Sequence, residues 1–220
     1  MTVLPLTLGF FLGLQHAFEP DHLAAISSLI AGKTGVRRLT SHGLTWGAGH
    51  LLTLSFVGGM LILGKTRLDE ELTKGLTLAA GAMLIALGLH VFHRLSREEF
   101  RFNARFFSEG HHHESAADEP DRSRRFGFAR SLAVGAVHGL EGSGPMAILA
   151  SATADSTFAG LSFLLLFGMG SMIGMCAMST LLAVPLTLTA QSFVLGNRFL
   201  QIAAGALSFL VGASVVRNVI

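Results

Sequence analysis

Apolar residues fall along this chain in long unbroken runs, and charged residues collect in the short stretches between them. A helix needs about 20 residues to cross about 30 Å of hydrocarbon. Six stretches approach or exceed that length: Leu4 to Ile30, Gly43 to Gly64, Gly75 to Phe92, Ser131 to Ala150, Phe158 to Val184 and Phe199 to Val216. The pattern therefore predicts an all-α membrane protein with six transmembrane helices. None of these runs shows the alternation of a membrane barrel, and an open sheet edge has no place in lipid. The uncharged tract from Ser156 to Asn197 is too long for one span, and Pro185 is expected to end the fifth helix. Residues 1–14 are apolar, with no basic leader and no small-residue cleavage site, and read as the start of a span.

Composition sharpens this reading. Of 220 residues, 50% are hydrophobic and 14% charged, whereas a soluble domain carries about 25% charged residues. One cysteine closes no intramolecular disulfide and forms no CxxC pair. The net charge of +2 calls for no nucleic acid, because the basic residues lie between the spans. Twelve of them follow spans one, three and five: Lys33, Arg37, Arg38, Arg94, Arg97, Arg101, Arg105, Arg122, Arg124, Arg125, Arg130 and Arg198. The other side holds only Lys65, Arg67, Lys74 and Arg217. The positive-inside rule puts the twelve in the cytoplasm and both termini outside.

The two halves of the chain resemble each other. At an offset of 122, Gly13, His16, Glu19, Ala25 and Ile26 fall on Gly135, His138, Glu141, Ala147 and Ile148. At 121, Gly47 and Gly49 meet Gly168 and Gly170; at 124, Ala79, Ala80, Gly81 and Ala82 meet Ala203, Ala204, Gly205 and Ala206. Three spans match three spans in order, and a unit with an odd number of crossings inserts upside down when duplicated. The expected plan is two inverted three-helix repeats, 1–94 and 131–220, joined by a cytoplasmic hydrophilic loop, 95–130, with a site at the repeat interface near mid-membrane.

Ionisable side chains inside a span cost several kcal/mol and mark function. Here His16, Glu19, Asp21 and His22 share the string HAFEPDH, His50 ends WGAGH, and His138 and Glu141 lie in VHGLEGSG. On a regular helix, three-residue steps of about 300° spread His16, Glu19 and His22 over one face, while Asp21 points elsewhere. Pro20 removes an N–H and biases Glu19 away from helical geometry, so the first helix is expected to break there and turn Asp21 toward a cavity. Imidazole and carboxylate together suit borderline divalent ions such as Ni(II), Co(II) and Zn(II). The bland alternative is that these histidines only bond across helices; four ionisable groups in seven apolar-span residues weigh against it.

The string HAFEPDHLAAIS resembles the first signature of the nickel/cobalt transporters of the HoxN and NicO type, H-A-x-D-A-D-H. His16, Ala17, Asp21 and His22 agree with it; Glu19 stands in place of an aspartate and Pro20 in place of an alanine. Gly49-His50 resembles that family's G-H-S motif, and VHGLEGSGP looks most like the short six-span relatives called UreH-like. The resemblance implies a nickel or cobalt site at His16, Asp21, His22 and His50. The ionisable cluster of the first span adds Glu19, and repeat symmetry adds His138 and Glu141, as further ligands or as groups that orient the histidines.

Other patterns carry less. His111, His112 and His113 in the hydrophilic loop suit a metal trap or sensor, or an incidental solvated tract. GMLILGKT fits the phosphate-loop expression but ends an apolar run with no strand before it, so no nucleotide is expected. Met169, Met172, Met175 and Met178 drift around a helix and read as packing. Small-xxx-small pairs such as Gly9 with Gly13 suit close helix approach. The expected protein is a non-enzymatic permease of the bacterial cytoplasmic membrane, importing Ni(II) or Co(II) without a resident cofactor. Alternatives are an exporter by proton antiport, or an accessory subunit that delivers nickel to a metalloenzyme such as urease. A cytoplasmic metallochaperone and self-association are compatible partners. A membrane metalloenzyme is the rival class, but no HExxH occurs and His90 and His93 form no histidine box.

Overall fold

The described residues form seven helices and no strand: α1 (Val3–His16), α2 (Pro20–Ile30), α3 (Val36–Gly64), α4 (Glu70–Phe107), α5 (Asp121–Thr153), α6 (Thr157–Ser192) and α7 (Val194–Val219). The computed structural model describes residues 3–31, 35–66, 68–107, 121–153, 156–192 and 194–220. His111, His112 and His113 lie outside them. Helices α4 and α5 extend into the hydrophilic tract from both ends. Among the described residues, four helices are long and apolar enough to cross a membrane: α3, Glu70–Arg97 of α4, Thr157–Val184 of α6 and Arg198–Val219 of α7. The first stretch divides into helices of 14 and 11 residues, each short of a span. The fourth stretch, on α5, is diluted by His138, Glu141 and the arginines before Ser131.

Proline explains the division. The chain leaves α1 after His16, and Glu19 sits extended (φ −64°, ψ 151°) ahead of Pro20, the first residue of α2. Proline tolerates that position because its missing N–H would find no partner in a first turn anyway. Asp21 then lies in the first turn, where the helix dipole favours a carboxylate. Pro185 acts differently from expectation: α6 continues past it to Ser192, and α5 likewise runs through Pro145. Helices in apolar surroundings keep going through proline where neighbours re-satisfy the freed carbonyl.

Glycines set the helix pairing. A Cβ on Gly13 of α1 would overlap the Phe167 carbonyl of α6, and one on Gly9 would meet the Phe163 ring, so α1 and α6 run parallel. In the same way Gly135 lies on the Trp46 carbonyl and Gly139 on that of His50, so α5 runs parallel to α3. Helix α3 runs antiparallel to α6, with Gly43 at Ser179, Gly47 at Met172 and Leu51 at Gly168. Helix α4 is antiparallel to α7 through Gly81 at Gly212 and Gly88 at Gly205. Arg94 of α4 donates to the Ala31 carbonyl that ends α2 and to Gln201 Oε1 of α7 (2.6 Å), tying three helices together.

Among the described residues the buried apolar side chains form three clusters. The largest gathers Ala17, Ile26, Leu29, Leu39, Trp46, Leu84 and Met175; a second gathers Leu54, Ile62, Phe163, Leu164 and Phe167; a small third gathers Ala31, Val91 and Leu95. Met175 and Met178 are buried while Met169 is exposed, as packing residues on a turning face would be.

Candidate metal centre

The break between α1 and α2 puts His16 at the last position of one helix and Asp21 and His22 in the first turn of the next. Helix α3 brings His50 to the same place, and the close α3–α5 approach brings His138. The His16 ring centroid lies 4.5 Å from that of His22 and 5.6 Å from that of His50. His22 is 5.4 Å from His50 and 4.9 Å from His138. Asp21 Oδ2 stands 3.1 Å from His22 Nδ1 and 3.8 Å from His138 Nε2. The donor atoms form two overlapping sets, His16–His22–His50 and Asp21–His22–His138, each with its atoms within 4.8 Å of one another. Ligands about 2.1 Å from a tetrahedral ion lie about 3.4 Å apart, so small ring rotations would close either set on a cation.

Burial makes these nitrogens costly to leave as they are. His22, His50 and His138 are buried, and His16 Nε2, His22 Nε2, both nitrogens of His50 and His138 Nε2 have no hydrogen-bond partner. A buried polar atom without a partner costs about 1–3 kcal/mol. Five such atoms in one place are an arrangement that a cation would relieve. The tautomer of His138 suits this: a carbonyl only accepts, so the 3.2 Å contact with the Val134 carbonyl is an Nδ1–H donation, which leaves the Nε2 lone pair facing Asp21.

The remaining expected residues lie at the edge. Glu19 is 53% exposed and holds His16 Nδ1 at 3.0 Å, so it orients an imidazole rather than entering either donor set. Glu141, half-buried and one helical turn beyond His138, accepts a hydrogen bond from Thr77 of α4. His90 and His93 are exposed on α4 and belong to neither donor set. GMLILGKT falls at the helical end of α3, where Lys65 is the left-handed cap, with no phosphate loop formed.

Sequence reasoning missed the aromatic neighbours. Trp46 lies 5.4 Å from His22 and 5.9 Å from His138, and Phe167 lies 5.2 Å from His16. The signals were present: Trp46 is one turn before His50, and the offset that pairs Gly47 with Gly168 pairs Trp46 with Phe167. His42 was missed too. Its Nδ1 lies 2.8 Å from Ser131 Oγ, and its ring stacks on Phe128 at 4.6 Å.

Comparison with known proteins adds the following. A family model described as "High-affinity nickel-transport protein" (NicO) matches residues 3–214. The "Urease accessory protein UreH" of Bacillus sp. (strain TB-90) is 33% identical over 214 residues, which cover 97% of this chain and 90% of that protein. Two Arabidopsis thaliana proteins, "Chloroplast protein FOR GROWTH AND FERTILITY 2" and "1", are 30% and 31% identical over 168 and 172 residues. These alignments cover 76% of this chain but 44% and 46% of the plant proteins, so the chain spans under half of their length. No solved structure matches.

Proposed function

The chain belongs to the high-affinity nickel-transport family, and from that premise we propose that it is a six-crossing permease that imports Ni(II), or Co(II), through the histidine and aspartate cluster at the α1–α2 break. The observation that carries the proposal is the set of partnerless imidazole nitrogens around Asp21, buried in an otherwise apolar helix bundle. Borderline divalent ions match that donor set; calcium and magnesium do not. His22 belongs to both donor sets, so a cation can pass between them by exchanging His16 and His50 for Asp21 and His138 while keeping one ligand throughout.

The crossings we assign are α1 with α2, then α3, α4, α5, α6 and α7. Parallel α1–α6 and α3–α5 pairs and antiparallel α3–α6 and α4–α7 pairs are what two three-helix units of opposite sense produce. Equivalent glycines also have equivalent surroundings. A Cβ at Gly88 would lie 2.6 Å from the Gly205 oxygen and 2.9 Å from the Phe209 nitrogen; at Gly212, 2.6 Å from the Gly81 oxygen and 2.9 Å from the Ile85 nitrogen. This reciprocity supports inverted repeats, with both termini outside a bacterial inner membrane as the basic residues favour.

A divalent cation gains about 4.6 kcal/mol per 100 mV, twice the 2.3 of a single charge, so uptake needs no nucleotide. A second reading, an accessory role in nickel delivery, is favoured by the urease-accessory name of the Bacillus relative. Purified protein in liposomes separates the two. A permease accumulates Ni(II) alone when the interior is negative; a delivery subunit binds Ni(II) without accumulating it. Running the assay in both directions with Co(II) and Zn(II) decides direction and selectivity.

A further inference from the structure

The histidine cluster is bordered by the two larger apolar cores, and each presents one aromatic ring to it. Trp46, from the first core, stands against His22 and His138. Phe167, from the second, stands against His16. Both are buried. Along α3 they bracket His50: Trp46 is four residues before it, about 6 Å down the axis, while Gly168, beside Phe167, packs on Leu51 and Leu54 just after it. The rings also share one mounting. Gly135 is pressed on the Trp46 carbonyl, where a Cβ would lie 2.8 Å from the carbonyl carbon; Gly13 is pressed on that of Phe167, where the distance is 2.7 Å. A ring on a backbone held that closely moves with its helix pair.

We propose that Trp46 and Phe167 are a matched pair of gates, one on each side of the cation site, which open alternately as the α3–α5 and α1–α6 pairs exchange conformations. The proposal rests on the transport reading above and adds the residues that separate the site from the two aqueous phases. A cation at His22 has an indole on one side and a phenyl on the other, and neither supplies a ligand of the imidazole or carboxylate kind. Each ring blocks passage until its helix pair shifts. The gates differ in one respect: Trp46 Nε1–H is buried without a partner, whereas phenylalanine has no polar atom to satisfy. Indole therefore gains an acceptor for its N–H when water enters on its side, which biases that gate toward opening.

The full chain in liposomes, with an internal Ni(II) indicator, tests this. Native protein gives flux that saturates with Ni(II). Trp46→Ala and Phe167→Ala each raise the initial rate. The double variant gives flux that rises linearly with Ni(II) and reaches about tenfold over native at high concentration, equivalent to ~1.4 kcal/mol removed from the barrier. Trp46→Phe, which keeps a ring, stays saturable. Leucine at both positions keeps the cores filled and shifts the flux in the same direction should the alanine proteins fold poorly. Saturable flux at or below the native rate in both double variants, with Ni(II) binding intact, would make the rings mere packing and overturn the proposal. Absence of flux in the native protein would instead count against transport; the double variant still tests the gates, because a site open at both ends passes Ni(II) whether or not the native chain turns over.

Discussion

Gly135→Ala probes how closely α5 must lie on α3 for the site to exist. Its new methyl carbon would lie 2.8 Å from the Trp46 carbonyl carbon and 3.0 Å from the His50 nitrogen. Carbon pairs settle at about 3.5–4.0 Å, so α5 must retreat by about 0.7 Å or more. Overpacking of this kind costs about 1–3 kcal/mol, partly offset by the ~1 kcal/mol that alanine gains over glycine in a helix. The larger effect falls on the metal. His138 rides on α5 one turn later, with Nε2 already 3.8 Å from Asp21. Metal–ligand distances tolerate about 0.2 Å, and losing a partner that orients or completes a site costs about 10–100-fold in affinity. Trp46 is the single tryptophan and the chain has no tyrosine, so its emission reports on the site, and open-shell Ni(II) bound beside it quenches that emission. The assay is a Ni(II) titration followed by Trp46 emission, with thermal unfolding alongside. Gly135→Ala should weaken binding 10–100-fold with a modest loss of stability. Gly75→Ala, where a Cβ meets nothing within 4 Å, should bind as native. Native affinity in Gly135→Ala, or an equal loss in Gly75→Ala, would refute the link between helix approach and ligand geometry.

Three other outcomes follow from the same geometry. His22→Ala, which removes the ligand common to both donor sets, should abolish Ni(II) quenching, while Glu19→Gln, at an exposed residue beside His16, should lower affinity only modestly; equal effects in titrations of the two proteins would contradict the assignment. Ni(II) affinity should fall as the medium is acidified, because protons compete with the metal for the imidazole lone pairs; a flat pH profile for binding would exclude histidine ligation. Cysteine placed at Ser115, with Cys176 replaced, should resist impermeant thiol reagents added outside intact cells, and a chain lacking 109–119 should still transport; efficient outside labelling would reverse the topology, and loss of transport in a well-inserted deletion would put His111 to His113 on the pathway.

The clustering of these side chains was legible in sequence because its signals are chemical and local. Four ionisable residues in HAFEPDH cannot sit idle in an apolar run, and Pro20 broke the helix where its missing N–H required. His138 was found by alignment of the halves, and the structure brings it to 4.9 Å from His22. Glu19 and Glu141 lie outside both donor sets; whether a carboxylate enters such a set depends on side-chain direction, which spacing around a broken helix does not fix. Pro185 was read as a terminator from a rule that holds best where water competes for the freed carbonyl; α6 runs on. Trp46 and Phe167 escaped notice because an aromatic ring in an apolar run carries no compositional signal until something polar is seen against it.

Flux and site occupancy followed together in one liposome preparation test the central claim most directly. With the interior negative, Ni(II) entry and quenching of Trp46 should saturate at the same concentration, and His22→Ala should lose both while remaining inserted and folded. Ni(II) entry that persists in His22→Ala, or that saturates with no change in Trp46 emission, would mean that the ion crosses elsewhere and that the cluster at the α1–α2 break is not its path.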